Sequence, residues 1–280
     1  MQRVAIIGAG ELGGATAHAL ARSNLVRAIT LIDETRRVAA GKALDIAQAA
    51  PVEGFATQLS GATDVSMAAG AAVVILADRV NGGEWQGEDG LVLLKRLSQT
   101  ASDAVILCAG PAQRELIDRG VHELTFPRTR LFGSAPESLA AAARALVALA
   151  VNGSPRDISL SVLGVPPAHT VIPWADATVA GFALTRVVDE PSRRRLAARV
   201  TALWPPGPYA LAAAAAVVVE AMTGRSRRVA SCFVAPDFST GTHTRTGAMP
   251  VRLGSAGIVE VVLPSLSAVE QVALDNAMQI

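Results

Sequence analysis

Glycine at positions 8, 10 and 13, in the run Gly8-Ala9-Gly10-Glu11-Leu12-Gly13, is the first pattern in the chain with chemical content. The motif G-x-G-x-x-G carries little weight alone, but here it follows an apolar stretch (residues 3–8, RVAIIG) and opens a helix-forming one (residues 12–23). Asp33 lies twenty residues beyond Gly13, at the end of a second apolar stretch, residues 28–33 (AITLID). Strand, glycine turn, helix and distal carboxylate together make the dinucleotide fingerprint. Gly8 permits the tight turn, Gly10 lets backbone approach a pyrophosphate, and Gly13 allows close helix–strand packing. The N–H groups at Glu11 and Leu12, in the first turn of the helix, face the anion. Asp33 is placed to accept hydrogen bonds from a ribose diol and to repel a 2′-phosphate, which favours NAD over NADP. Ala77, at the end of a further strand signal, completes the expected cofactor set. The expected partner is therefore NAD(H).

The elements that must position these residues alternate along the first half. Helix is expected at 36–50, closed by Pro51, and at 88–101, with strands at 56–60, 71–77 and 104–109. Continuous apolar strands alternating with helices predict a doubly wound parallel sheet of Rossmann type, covered on both faces. After Gly133 the pattern changes. An alanine-rich helix is expected at 137–151, strand at 158–163, helices at 192–203 and 209–222, and short strands at 228–234, 251–253 and 258–263. A last helix spans 267–278, capped by Ser265 or Ser267. The division expected is a dinucleotide-binding domain at 1–133 and a smaller α+β domain at 134–280.

Composition excludes several classes. The chain has 280 residues, 18% charged and 51% hydrophobic, with a net charge of +1. Such balance leaves no electrostatic footprint for nucleic acid or an anionic membrane. The longest strongly apolar run, residues 209–219, falls short of the roughly 20 residues that a bilayer crossing needs. No charged leader with an apolar core is visible at the N-terminus. Cys108 and Cys232 both lie in apolar strand-like stretches and read as buried thiols of a reducing cytosol, without metal or disulfide role.

With the fingerprint placed, longer blocks become comparable with known families. Residues 33–55 (DETRRVAAGKALDIAQAAPVEGF) resemble the corresponding stretch of bacterial malate dehydrogenases, including the G-K-A-L-D and P-x-E-G-F pieces. Residues 162–184 (VLGVPPAHTVIPWADATVAGFAL) look like the segment that carries the catalytic histidine in lactate and malate dehydrogenases. Residues 247–256 (GAMPVRLGSA) and Gly257-Ile258-Val259-Glu260 are similar to the family's C-terminal strands. The resemblance runs through nearly the whole chain, in the family's order. It implies NAD-linked hydride transfer on a small 2-hydroxy or 2-keto acid and, by analogy alone, a cytoplasmic homo-oligomer.

That chemistry needs a histidine as proton carrier, an aspartate to orient it, and arginines for the substrate carboxylate and carbonyl. Matching the blocks without gaps puts Pro166 at the histidine position, Leu139 at the aspartate and Ala142 at the carboxylate-binding arginine. Arg144 matches a family arginine that is not a substrate ligand. Gly110 stands where an asparagine precedes proline, and the loop 78–89 has Asn81 and Gly87 near the expected arginine positions, with Arg79 a poor stand-in. Between Gly181 and Tyr209 the chain is about a dozen residues shorter than its relatives, and Pro205, Pro206 and Pro208 break any helix there.

Catalytic residues are consequently expected to be none, and no metal-ligand spacing is present. His169 reads as a surface-loop histidine, and His18 and Asp45 as fold residues. His122 and His243 fall in polar connecting segments, and Glu137 has no defined histidine partner. The function expected is an NAD(H)-binding lactate/malate dehydrogenase-like protein without 2-hydroxyacid dehydrogenase activity. The alternative is an NAD-dependent oxidoreductase acting on a different small substrate in a rebuilt pocket.

Overall fold

The structure, a computed structural model, describes residues 1–237 and 245–279. Its first half builds β1 (Arg3–Ile7), α1 (Glu11–Arg22), β2 (Ala28–Ile32), α2 (Arg36–Glu53), β3 (Gln58–Ala62) and β4 (Val73–Leu76). A short hairpin, β5 (Asp78–Arg79) and β6 (Gly83–Glu84), precedes α3 (Gly87–Thr100), β7 (Val105–Cys108), α4 (Arg114–Glu123) and β8 (Leu131–Gly133). The second half builds α5 (Ala135–Ala150), β9 (Ile158–Ser159), β10 (Leu163–Val165), β11 (His169–Val171), β12 (Thr178–Val179) and β13 (Phe182–Ala183). It ends with α6 (Glu190–Thr201), α7 (Pro208–Met222), β14 (Ala230–Val234), β15 (Gly247–Gly254), β16 (Gly257–Val261) and α8 (Ala268–Gln279).

One large sheet organises these elements, in the order β11-β10-β15-β14-β8-β7-β4-β1-β2-β3, with β16 on β15. From β3 to β8 every pairing is parallel, and from β8 to β11 every pairing is antiparallel. Parallel strands buried on both faces need apolar residues at every position, and Val4–Ile7, Val73–Leu76 and Val105–Cys108 are all buried. The register brings the last residues of five strands level: Ile32 opposite Ile7, Ile7 opposite Leu76, Leu76 opposite Cys108, and Cys108 opposite Gly133. Loops leaving these ends therefore converge on one crevice, where open parallel sheets bind their ligands.

Several sequence expectations change in detail. Helix α2 does not stop at Pro51 but runs through it to Glu53. A proline in the last turn forfeits one backbone bond there, and Gly54, in the left-handed conformation at φ 76°, ends the helix instead. The strand expected at 158–163 is split into β9 and β10, which belong to different sheets. The strand expected at 251–253 is the last part of the much longer β15, Gly247–Gly254. His122 lies within α4, not in a connecting segment. His243 lies outside the described residues. Pro208 starts α7 at a position where a missing N–H costs nothing. Ser267, as expected, caps α8, and Glu270 reaches back to the Ser267 N–H at 2.7 Å.

Two apolar clusters fill the interior. The larger packs α1, α3 and α7 against the sheet, with Phe132 and Phe233 buried where its parallel and antiparallel halves meet. The smaller lies among α5, α6 and the strands around Ile158, and includes Leu139. A buried polar clamp joins α5 to β14. Glu137 pairs with Arg144 at 2.6 Å and accepts the Ser231 N–H at 2.8 Å, while Arg144 donates to the Leu160 carbonyl at 3.0 Å. Removing one partner strands the other in the interior. Glu137→Ala is expected to cost about 3–5 kcal/mol, measured by denaturant unfolding, with Arg144→Ala costing a similar amount. The double variant should lose less than the sum, because the two share one interaction; strict additivity would refute the clamp.

Candidate functional site

The glycine loop begins where β1 ends. Gly8 adopts φ +109°, a conformation that disfavours any side chain, and a Cβ there would also strike the Asp78 carbonyl. Gly13 lies against the Gly8 carbonyl, and Ala77 packs beside it, so helix α1 sits directly on the strand ends. Gly10 differs. Its φ of −67° suits any residue, and what excludes a Cβ is the Asp78 carboxylate lying against it. Leu12 is buried in the core and Glu11 is exposed in the first turn of α1.

Asp33 is 7% exposed and accepts three backbone N–H groups. Its Oδ2 takes Ala9 at 2.9 Å and Val80 at 3.1 Å, and its Oδ1 takes Thr35 at 2.9 Å. The carboxylate thus ties the glycine loop, the start of α2 and the β5–β6 hairpin together. Beyond it opens a cavity of about 380 Å³ between Thr35, the hairpin and α3. Arg79 stacks on Trp85 there, 4.6 Å from the ring centre, and pairs with Asp89 at 3.4 Å. Arg79 Nε and Trp85 Nε1 are buried donors without a hydrogen-bond partner. Asn81 reaches the Thr35 hydroxyl at 3.4 Å, and Gly87 begins α3.

The hairpin supplies two acids that sequence reasoning passed over. Asp78 Oδ1 accepts the Gly13 N–H at 2.9 Å, and the Asp78 carbonyl accepts the Gly10 N–H at 2.9 Å. Opposite it in the hairpin, Glu84 accepts the Ala112 N–H at 2.9 Å and rests on Gly110, where a Cβ would collide with its carboxylate. One signal was available for Asp78: it lies two residues past β4, at the strand end where a parallel sheet places its ligand. Glu84 had none, because a two-residue strand leaves no periodicity to read.

The remaining candidates scatter. Pro166 and Leu139 are buried, Leu139 in the smaller apolar cluster. Ala142 lines an open cleft of about 950 Å³ between α5 and α7, faced by Ala213, Ala214 and Val217. His169 is exposed on the edge strand β11. His18 meets Glu53 at 3.0 Å on the surface, and Asp45 is exposed on α2. Glu137 is committed to the α5–β14 clamp. Both cysteines are free and buried, and burial pushes their thiols up. No group of acidic, histidine or cysteine side chains suited to a metal occurs among the described residues. No described helix is long and apolar enough to cross a membrane.

Comparison with known proteins agrees with the crevice. Residues 2–96 match the family described as lactate/malate dehydrogenase, NAD binding domain. The malate dehydrogenase of Thermomicrobium roseum is 29% identical over 294 residues, covering 99% of this chain and 94% of that protein. The malate dehydrogenase structure from Salinibacter ruber superposes with a TM-score of 0.86 at 24% identity, covering 98% of this chain and 93% of that one. A lactate dehydrogenase from Cryptosporidium parvum, solved with lactic acid and nicotinamide adenine dinucleotide, gives 0.88 at 19% identity, covering 99% and 94%. The α/β Rossmann-type fold is that of these lactate/malate dehydrogenase structures. NAD(H) is the cofactor indicated. The backbone cradle fits it, since Gly10 offers no side chain at the start of α1, but the Asp78 carboxylate lies across that cradle.

Glu84 gives the crevice a measurable pH signature. Burial raises its carboxyl above the ordinary glutamate value of 4.5, and the Asp78 charge adds to this, against the Ala112 N–H. A carboxyl raised on folding favours the native state while protonated, so that part of the stability fades as pH rises through and beyond 4.5. Glu84→Gln keeps an acceptor for Ala112 and removes the charge. Denaturant melts should find the variant more stable than the parent at pH 7, with the difference shrinking toward pH 4.5. An identical pH profile for both proteins would contradict this account.

Proposed function

We propose that this protein is an NAD(H)-binding member of the lactate/malate dehydrogenase group that lacks 2-hydroxyacid dehydrogenase activity. One observation carries the reading: the matched positions of proton carrier, orienting acid and carboxylate clamp hold Pro166, Leu139 and Ala142. None of these can titrate or pair with a carboxylate. A positioned acid–base group is worth roughly 10²- to 10⁴-fold, and loss of a partner for a buried substrate carboxylate costs roughly 2–5 kcal/mol. Losing them together leaves too little stabilisation for useful turnover, even though such effects are not additive. On this reading the protein holds NAD(H) through Gly8, Gly10, Glu11, Leu12, Gly13, Asp33 and Ala77. The second reading, an NAD-dependent oxidoreductase with a rebuilt pocket, draws on Glu84, a carboxyl raised by burial beside the end of β7. Assembly as a homo-oligomer is part of the proposal by analogy with the family.

Two measurements test it. Calorimetric titration should find NADH binding in preference to NADPH, because a 2′-phosphate would meet the carboxylates of Asp33 and Glu34 at the end of β2. Equal affinities would remove the cofactor assignment. Purified protein with saturating NADH should reduce neither oxaloacetate nor pyruvate above background. A turnover of even about 1 s⁻¹, low for an enzyme, would show that other residues have taken over the chemistry. Pro166→His alone should leave the protein inactive, since the new imidazole gains no acid at Leu139 and the substrate no clamp at Ala142. Only the triple variant with Leu139→Asp and Ala142→Arg should show weak reduction.

A further inference from the structure

The β5–β6 hairpin lies across the glycine cradle, and its first residue sets a carboxylate against Gly10 at the start of α1, where the anion is expected. Gly10 stands in the capping position before α1 and gives the helix no side-chain cap. The free N–H of Gly13 points instead to Asp78 Oδ1 at 2.9 Å, the second oxygen of that carboxylate lies on Gly10, and the Asp78 carbonyl takes the Gly10 N–H at 2.9 Å. Positive partial charge at a helix start favours a negative group there. The glycine at position 10, unnecessary for backbone conformation, makes room for this carboxylate.

The hairpin is fastened at two further points. The Val80 N–H donates to Asp33 Oδ2 at 3.1 Å, occupying an oxygen that a ribose hydroxyl would need. At the far side Glu84 holds the Ala112 N–H at 2.9 Å and covers Gly110. Diphosphate cradle, ribose acceptor and the end of β7 are therefore covered by one four-point fold-over of seven residues, 78–84.

We propose that the β5–β6 hairpin is an internal gate in which the Asp78 carboxylate occupies the diphosphate position of the cradle, so that NAD(H) enters only when the hairpin lifts away. This rests on the reading of the crevice as an NAD(H) site. A carboxylate and a diphosphate cannot both fill the space against Gly10, and two anions held against the same helix start repel. Binding therefore competes with the closed hairpin, and the apparent affinity falls in proportion to the fraction of molecules that are open. Lifting the hairpin withdraws Asp78 from Gly13 and Val80 from Asp33 in the same movement, uncovering the diphosphate and ribose contacts together. The gate thus links two subsites that sequence treats as independent.

The test compares binding of NADH and of adenosine, which carries no diphosphate, to the parent protein and to Asp78→Ala and Asp78→Asn. Asp78→Ala should bind NADH about tenfold more tightly or better, with a smaller gain for adenosine, which meets no carboxylate at the diphosphate position and still competes with the Val80 N–H for Asp33. Asp78→Asn keeps the shape without the charge and should gain less. It decides the question if the alanine variant fails to fold. NADH binding to the parent that is as tight as, or tighter than, binding to the variants would overturn the gate while leaving the cofactor site standing. An equal gain for adenosine would overturn it as well, since the carboxylate would then be acting on general packing. Failure of all three proteins to bind NADH would refute the cofactor reading itself, and the gate with it.

Discussion

The carboxylate of Asp33 is the interaction on which the rest of the crevice depends. Three chain segments that leave different strand ends, at Ala9, Thr35 and Val80, each give it a backbone N–H. A buried carboxylate is tolerated only when its lone pairs are satisfied, and here the donors come from backbone that must stop in defined places to supply them. The glycine loop, the start of α2 and the hairpin are therefore set relative to one another by a single side chain. That side chain can stand at this point because the parallel register levels Ile32 with Ile7 and Leu76.

The same economy governs the start of α1. A helix that begins on glycine lacks a side-chain acceptor for its first N–H groups, and the need is met across the crevice by Asp78. Lys42 adds a donor to the Gly10 carbonyl at 2.6 Å, so the loop is held from both sides. Unlike a cap on the helix itself, an acceptor on a separate hairpin can leave, which makes the closure of this site reversible in principle. Glu84 opposes full closure, because its charge is partly desolvated beside that of Asp78. Capping and like-charge repulsion therefore act on the same seven residues in opposite senses.

Away from the crevice, the polar interior is used for structure. Glu137, the one acid of α5 near the matched aspartate position, is spent on Arg144 and Ser231, where it fastens α5 to β14. Leu139 turns into the smaller apolar cluster, and the charges α5 shows to the cleft beside Ala142, Glu137 and Arg144, are paired with each other. His169, the histidine nearest to Pro166 in sequence, stands exposed on an edge strand, because the antiparallel pairing of Val165 with His169 turns the chain outward.

Much was legible in the sequence, and for local reasons. Continuous apolar runs at residues 3–8, 28–33, 71–77 and 104–109 can only be buried strands of a two-sided sheet, and the glycines at 8, 10 and 13 have few other uses between a strand and a helix. Helix ends were not. Nothing short of the backbone path shows that Pro51 is accommodated in α2, since one lost hydrogen bond is offset by the turns before it. The long-range facts required the tertiary structure: that β15 has eight residues where three were expected, that Asp33 faces backbone donors, that Asp78 folds back over the glycine loop and that Glu84 covers Gly110. Periodicity reports which face of an element is buried. It carries no information on which distant N–H group a carboxylate will meet, because that is decided by the register of the strands and by the reach of the loops between them.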